Sequence, residues 1–584
     1  MRLDDLKSPA DLKRLPVSGL PALCDELRAA LLRKLSDHGG HIGPNLGMVE
    51  ATVALHYVFD SPRDRIVFDV SHQSYVHKML TGRMRAFTDP KRYDDVSGYT
   101  NPDESEHDCF NVGHTSTSVS LATGLAKGRD LLGLGGNVVA VIGDGSLSGG
   151  EAFEGLDNAA ALRSNFIVLV NDNEMSIPVN SGGLYDNLKL LRDTDGKAPL
   201  NYFRALGLDY VYEERGNDVE ALVRVFRKVK DIDHPVAVHI HTQKGQGFLP
   251  AMQDRERFHW GFPFDISTGE CKVKSSGDDY SSLTGKYLLD TMKDMPGLIA
   301  LTASMPMTFG FTPSMRETAG RQFVDVGICE EQAIAMASGI GKAGGCAVFG
   351  INSTFVQRVY DQVMQDLCLN GSHAVLLIFY TGLFGLNDVT HTGLQDIAML
   401  SNIPGLTYLS PSGKEEYMAM LDWAVKRADG PMAIRVPGRM TSTGKPDTTD
   451  YGAGVKSEIV RKGSRVAFLG LGTFLKEAMQ AADLLERRAG LRATVINPKF
   501  ISSLDTGLLE SLKKDHELVI TLEDGIAEGG FGAKVALFYA DSDMKTLCRG
   551  ARKEFVDRFA ADELVKSLRM TPGQLADDAL ARLR

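Results

Sequence analysis

One run of the sequence, residues 138–175, limits what this chain can fold into more than any other. It opens with the apolar Val138-Val139-Ala140-Val141-Ile142 and turns through Gly143-Asp144-Gly145-Ser146. The pattern then predicts a helix over 147–162, a second apolar run Phe166-Ile167-Val168-Leu169-Val170, and the polar Asn171-Asp172-Asn173-Glu174-Met175. Short apolar runs on either side of a helix are the mark of parallel strands in an α/β sheet. Asp144 and Asn173 fall just past the two strands, about 30 positions apart, the length of one βαβ crossover. Sheets of this kind bind ligands at the carboxyl ends of their strands, so both side chains can address one place.

Asp144 offers an anionic oxygen and Asn173 a neutral one. With phosphate oxygens, that donor set suits Mg²⁺, which takes few protein ligands in an octahedral shell. Gly143 and Gly145 let backbone approach a phosphate closely, and a helix start just after them adds N–H donors and the positive end of a dipole. A lone Gly-Asp-Gly is more often an ordinary turn. The second polar loop at crossover spacing is what turns the reading toward a cation with a diphosphate.

A chain of 584 residues holds two to four domains. Its net charge of −11 excludes a general nucleic-acid binder, which would carry a basic face. No apolar run is long enough to span a bilayer, and Met1-Arg2-Leu3-Asp4-Asp5-Leu6-Lys7 lacks the apolar core of a signal peptide. Seven cysteines without paired short spacings read as reduced thiols of a cytoplasmic protein. No Cys/His cluster has zinc-ligand spacing.

Before the central run, residues 1–40 are expected to be helical, with Leu20, Leu23, Leu27 and Leu31 on one face. A glycine-rich loop over 36–47 carries His38 and His41, a helix is expected over 49–59, and His72 follows the strand Arg65-Ile66-Val67-Phe68-Asp69. His77 and Lys78 read as structural. Gly113-His114-Thr115-Ser116-Thr117 precedes a predicted helix over 118–127 and fits either plain N-caps or a ligand loop. A strand over 236–241 leads to Lys244. The Ser-, Gly- and Asp-rich residues 266–281 read as a linker. They divide domain 1–265 from a second α/β domain, 282–450, with strands near 298–302, 347–350 and 374–378. A third domain, 451–584, includes Gly470-Leu471-Gly472, which lacks the third glycine and distal acid of a dinucleotide site. In the second domain, Glu330 follows the apolar Phe323-Val324-Asp325-Val326 and opens a helix. Burial there would raise its pKa, although a first-turn acid can also simply serve the helix dipole.

Gly143-Asp144-Gly145 with Asn171-Asp172-Asn173 resembles the thiamine diphosphate signature of transketolase-like enzymes. Gly143 to Gly150, Asp69-Val70-Ser71-His72-Gln73, Asn173-Glu174-Met175-Ser176-Ile177 and Ser353-Thr354-Phe355-Val356-Gln357-Arg358 narrow the resemblance to the 1-deoxy-D-xylulose-5-phosphate synthase family, nearly end to end. The resemblance implies three transketolase-like α/β domains, each a mainly parallel sheet flanked by helices, in a homodimer with the active site between domains one and two. It implies thiamine diphosphate and Mg²⁺ as cofactors, with pyruvate as donor and an aldehyde, D-glyceraldehyde 3-phosphate in this family, as acceptor. Carried over residue by residue, the metal ligands are Asp144, Asn173 and the Met175 carbonyl. Gly143, Gly145, Ser146, Gly113, His114, His72 and Lys244 lie near the diphosphate and thiazolium. Glu330 serves the pyrimidine, which Phe355 stacks upon and Arg358 neighbours. His41, His72, His259 and His391 are candidates for proton transfer and oxygen stabilisation.

The sequence departs from the family where the acceptor's phosphate is held. Asn352 stands for a tyrosine, Tyr380 for one arginine and Gly438, beside Arg439, for another, and Asn387 stands for an acid. Losing two charge-assisted contacts costs about 3–6 kcal/mol of acceptor binding. Three readings follow: the family synthase, with phosphate held by Arg358, Arg439 and others; a carboligase of the same donor chemistry with another aldehyde; and a catalytically silent cofactor-binding paralogue. Joint retention of Asp144, Asn173, Glu330, His41, His72 and His391 argues against silence. Residues 176–206 are about half the family's length there, which removes the expectation of a lid.

Overall fold

A computed structural model describes residues 3–273, 277–442 and 444–583. The centre of the expected linker, 274–276, lies outside the described residues. The chain divides into two compact units, one of residues 1–276 with 327–329, the other of residues 277–326 and 330–584.

The first unit is built on a five-stranded parallel sheet in the order Arg65–Phe68, Val138–Gly143, Phe166–Asp172, Pro235–His241, Asp209–Glu213. Alternation explains why its strands are apolar without interruption. Val139, Val141, Ile167 and Leu169 pack into one cluster with the helices Leu20–His38 and Val49–Val58. Val138, Ala140, Ile142, Phe166, Val168 and Val170 pack into another, against Ser118–Leu131 and Gly150–Ala159. A sheet covered on both faces needs apolar side chains at every position. The expected helical face of Leu20, Leu23, Leu27 and Leu31 is buried in the first of these clusters.

The helix expected over 147–162 is shorter. A 3₁₀ turn, Gly145–Ser148, comes first, and the α-helix runs Gly150–Ala159. Gly149 between them is extended, at φ −70° and ψ 141°. A Cβ there would meet Ser116 Oγ at 2.2 Å, so only glycine fits at this break. His77 and Lys78 are structural, as read. His77 bridges His56 and Asp108, Arg83 grips Asp108, and Lys78 pairs with Glu104, all with little or no exposure.

The second unit holds a six-stranded parallel sheet in the order Thr407–Leu409, Pro431–Pro437, Ala374–Thr381, Cys346–Asn352, Leu298–Thr302, Phe323–Asp325. It also holds a five-stranded sheet in the order Glu458–Arg461, Thr494–Asn497, Arg465–Gly470, His516–Ile526, Lys545–Ala551, whose first edge alone is antiparallel. One apolar cluster serves both sheets, joining Phe349, Leu376 and Ala433 to Leu469, Ile496 and Val519. Buried ion pairs reinforce that junction. Arg435 donates through Nε to Asp396 at 2.6 Å and through Nη1 to Asp524 of the other sheet, and the Tyr408 hydroxyl also donates to Asp396. Arg435→Ala leaves two buried carboxylates without a counter-charge. It is expected to cost about 3–5 kcal/mol, read as a fall in the urea unfolding midpoint; an unchanged midpoint would mean that Arg435 does not hold the sheets together.

Candidate active site

The two loops of the central run meet because their strands are neighbours in register. Gly143 pairs with Asn171, and the Asp144 N–H continues the ladder to the Asn171 carbonyl at 3.0 Å. Asp144 and Asn173 therefore leave the sheet side by side. Gly145 is required there: a Cβ on it would lie 2.6 Å from Ser176 Cβ, so the loops touch. Asp144 is buried, and burial together with the charge of Asp172 pushes its carboxyl well above the usual range. Asp172 is held down at about 2 by His239 and Arg192. Asn173 Oδ1 is buried with no hydrogen-bond partner among the described residues. A buried carboxylate without direct ion pairing beside an unsatisfied amide oxygen is the donor chemistry a hard cation uses, so the residues fit Mg²⁺. Met175 follows, buried, and bridges back to Val179. Lys244 is almost fully buried, with its ammonium on the Ser176 carbonyl at 2.6 Å, and burial brings its pKa down to about 7.

Three histidines distant in sequence come together in the same unit. Gly40–His41 pairs antiparallel with Trp260–Gly261, which sets His41 beside His259. The ring centroids lie 4.9 Å apart for His41 and His72, 5.8 Å for His41 and His259, and 5.3 Å for His72 and His259, the last pair stacked. Asn45 fastens the group: its Nδ2 donates to the His41 and His72 carbonyls, and its Oδ1 accepts from the Tyr75 N–H. Burial, helped by Lys244, lowers His72 to about 3 and His259 well below its ordinary value. Both rings are thus neutral at physiological pH, and each has a buried Nδ1 without a hydrogen-bond partner among the described residues.

Gly113 and His114 belong to a loop held from below. Asp69 at the end of its strand accepts from the Ser116 N–H at 2.8 Å and the Ser118 N–H at 2.9 Å. Thr117, in the N-cap position, makes no side-chain cap bond, so Asp69 caps the helix in its place. The reading of Ser and Thr as plain N-caps is therefore replaced by a cap from across the sheet. Ser146 is buried, and its carbonyl accepts from Ser116 Oγ at 2.8 Å.

In the second unit Glu330 opens the helix Glu330–Lys342, as expected after the strand Phe323–Asp325. It is buried, and burial raises its pKa, while Arg358, at 3.6 Å from Oε2, opposes the rise. Its Oε2 has no hydrogen-bond partner among the described residues. Phe355 lies one turn before Arg358 in Phe355–Val359, with its ring 5.6 Å from His391, edge to face. His391 Nδ1 bonds Thr390 Oγ1 at 2.8 Å. The four substituted positions have different surroundings. Asn352 ends its strand with a buried, unpartnered Oδ1. Tyr380 takes φ 55°, and its carbonyl accepts from Ser353 Oγ. Asn387 is bonded to the Phe559 carbonyl at 3.2 Å. At Gly438 a Cβ would meet the Phe384 carbonyl at 2.1 Å, so the loop at 384–385 fills the place of any longer side chain. The neighbouring Arg439 lies over the Phe384 ring, 3.8 Å from its centroid.

The hydrogen-bonding roles of Asn45, Asp69 and Asn180 were not read from the sequence. Each joins a loop distant along the chain, and Asn45 and Asn180 also turn back on their own loop.

The parallel sheets and the cluster of polar loops at strand ends define a transketolase-like α/β enzyme. Comparison with known proteins agrees. Residues 3–198 match the family model described as 1-deoxy-D-xylulose-5-phosphate synthase, 278–442 the pyrimidine-binding domain of transketolase, and 455–575 the transketolase C-terminal domain. The chain is 39% identical to 1-deoxy-D-xylulose-5-phosphate synthase 1 of Geobacter sulfurreducens, over 95% of this chain and 93% of that protein. It is 38% identical to the enzyme of Symbiobacterium thermophilum, over 100% and 96%. The chain belongs to the 1-deoxy-D-xylulose-5-phosphate synthase family.

The buried neutral histidines set a pH dependence. Unfolded, His72 titrates near 6.5; folded, near 3. Below about pH 6.5 the unfolded chain binds the extra proton, so stability is complete above that pH and falls as the pH drops toward 3. His72→Asn is expected to flatten the decline of the thermal midpoint between pH 6.5 and 4; an unchanged slope would mean that His72 is not a source of it.

Proposed function

We propose that the chain decarboxylates pyruvate and transfers the two-carbon unit to D-glyceraldehyde 3-phosphate, giving 1-deoxy-D-xylulose 5-phosphate and CO₂, with thiamine diphosphate and Mg²⁺ as cofactors. The observation that carries this reading is the pairing of Asp144 with the unsatisfied Asn173 Oδ1 at adjacent strand ends, in a chain that belongs to this family. Thiamine diphosphate, when bound, supplies the carbanion chemistry that decarboxylation of a 2-oxo acid needs.

The residues then divide the work. Asp144, Asn173 and the Met175 carbonyl hold the cation, and Gly143, Gly145, Ser146, Gly113, His114 and Lys244 line the diphosphate. Glu330, whose carboxyl burial shifts toward the protonated form, would donate a hydrogen bond to the pyrimidine ring, on which Phe355 would stack. His72 and His259, neutral and desolvated, and His41 beside them donate to or accept from the oxygens of donor and acceptor. His391, Arg358, Arg439, Asn352 and Tyr380 face the acceptor. We read the second unit as two domains meeting near residue 450, and the working enzyme as a cytoplasmic homodimer.

Gly438 favours a second reading, a changed acceptor. The Phe384 carbonyl leaves no room for a phosphate-binding arginine there, and Arg439 is stacked on Phe384. CO₂ release from pyruvate, with Mg²⁺ and thiamine diphosphate, separates the two. Stimulation by glyceraldehyde 3-phosphate alone is expected for the synthase; equal stimulation by unphosphorylated glyceraldehyde would mean a different acceptor, and no CO₂ would sink the donor chemistry. Glu330→Gln is expected to lower CO₂ release at least 100-fold in a folded protein, and an unchanged rate would remove Glu330 from the mechanism.

A further inference from the structure

Asn180 lies in the turn between Met175 and the helix Gly183–Asp193, outside both loops of the central run. Its Nδ2 donates to Asp144 Oδ2 at 2.9 Å, and its Oδ1 accepts from the Ser176 N–H at 2.9 Å. The turn that carries it is fastened on several sides. Met175 bridges Val179, Lys244 donates to the Ser176 carbonyl at 2.6 Å, and the Tyr185 hydroxyl donates to the Gly145 carbonyl at 3.3 Å. At the far end of the helix, Arg192 pairs with Asp172. Residues 176–192 thus form a brace tied to both loops.

The two acids of the loops are treated differently by that brace. Asp172 receives cationic or ring donors, Arg192 and His239, which neutralise it. Asp144 receives a neutral amide, which orients the carboxyl group without supplying a counter-charge. A guanidinium in that place would compete with a cation; an amide does not. Beside it, the Asn173 Oδ1 is buried and unpartnered.

We propose that Asn180 is a positioning residue of the cation site, holding the Asp144 carboxylate in the orientation in which it and Asn173 take a divalent metal. The proposal rests on the reading of Asp144 and Asn173 as metal ligands. Groups that orient a ligand without touching the metal typically change metal affinity 10–100-fold when removed.

The test titrates Mn²⁺ into the full-length protein with saturating thiamine diphosphate, reading free Mn²⁺ by electron paramagnetic resonance. Asn180→Ala, and Asn180→Leu as a variant that keeps the volume, are expected to weaken Mn²⁺ binding about 10–100-fold. Asn187→Ala is the control for the fold of the brace, since Asn187 bonds the Leu200 carbonyl and the Tyr202 N–H but not Asp144; its affinity is expected to match the unaltered protein. Asp144→Asn tests the underlying reading and is expected to abolish tight Mn²⁺ binding. If Asp144→Asn binds Mn²⁺ as tightly as the unaltered protein, the metal reading itself fails. If it loses binding while both Asn180 variants keep it, or if Asn187→Ala weakens binding as much as they do, the role given to Asn180 is overturned.

Discussion

The parallel pairing of Val138–Gly143 with Phe166–Asp172 carries the candidate site. The ladder runs one step beyond the strands, through the Asp144 N–H to the Asn171 carbonyl, so the two polar loops begin at the same height. A shift of register by one residue would turn both apolar runs inside out. Both faces of this sheet are buried under helices, and the loop positions are held by the packing of the strands they follow. The close approach of Ser176 to Gly145 depends on the same constraint.

Around that anchor the first unit spends its buried polar groups on loop placement. Asp69 closes the start of the helix Ser118–Leu131 from across the sheet, and Asn45 ties the backbone of His41 to that of His72. Each bond satisfies backbone groups that no helix or strand could serve, and each holds a histidine-bearing loop. The consequence is chemical. Rings gathered out of water are neutral, and a neutral imidazole can donate at one nitrogen and accept at the other. His72 and His259 are poised in that state by burial, with Lys244 adding to the effect.

The second unit shows how neighbouring backbone limits which residue a position can hold. Gly438 is not an interchangeable loss of an arginine: the Phe384 carbonyl occupies the place where its Cβ would start. Asn387 is engaged by the Phe559 carbonyl, and the Arg558 N–H donates to the Asn387 carbonyl. Backbone contacts thus engage these positions, while Glu330 opens the helix Glu330–Lys342 and Phe355 begins the 3₁₀ turn Phe355–Val359 with its ring against His391.

The central run, the strands near 298–302 and 374–378, and the helix opened by Glu330 were legible in the residues alone. Apolar periodicity and strand-end position are local properties, and the fold uses them locally. Asp144 and Asn173 belong to the same class, because one crossover separates them. The meeting of His41, His72 and His259 was not legible as geometry: it depends on a two-residue antiparallel pairing between Gly40–His41 and Trp260–Gly261, too short to leave a periodic signal. Nor were Asn45, Asp69 and Asn180, whose hydrogen bonds join loops distant along the chain or turn back within one. What the sequence determined by itself was the set of buried strands and the residues at their ends, since burial and spacing are written in side-chain type. What only the tertiary structure decided was which loops touch, because that follows from sheet order and backbone approach, and neither is encoded in any one stretch.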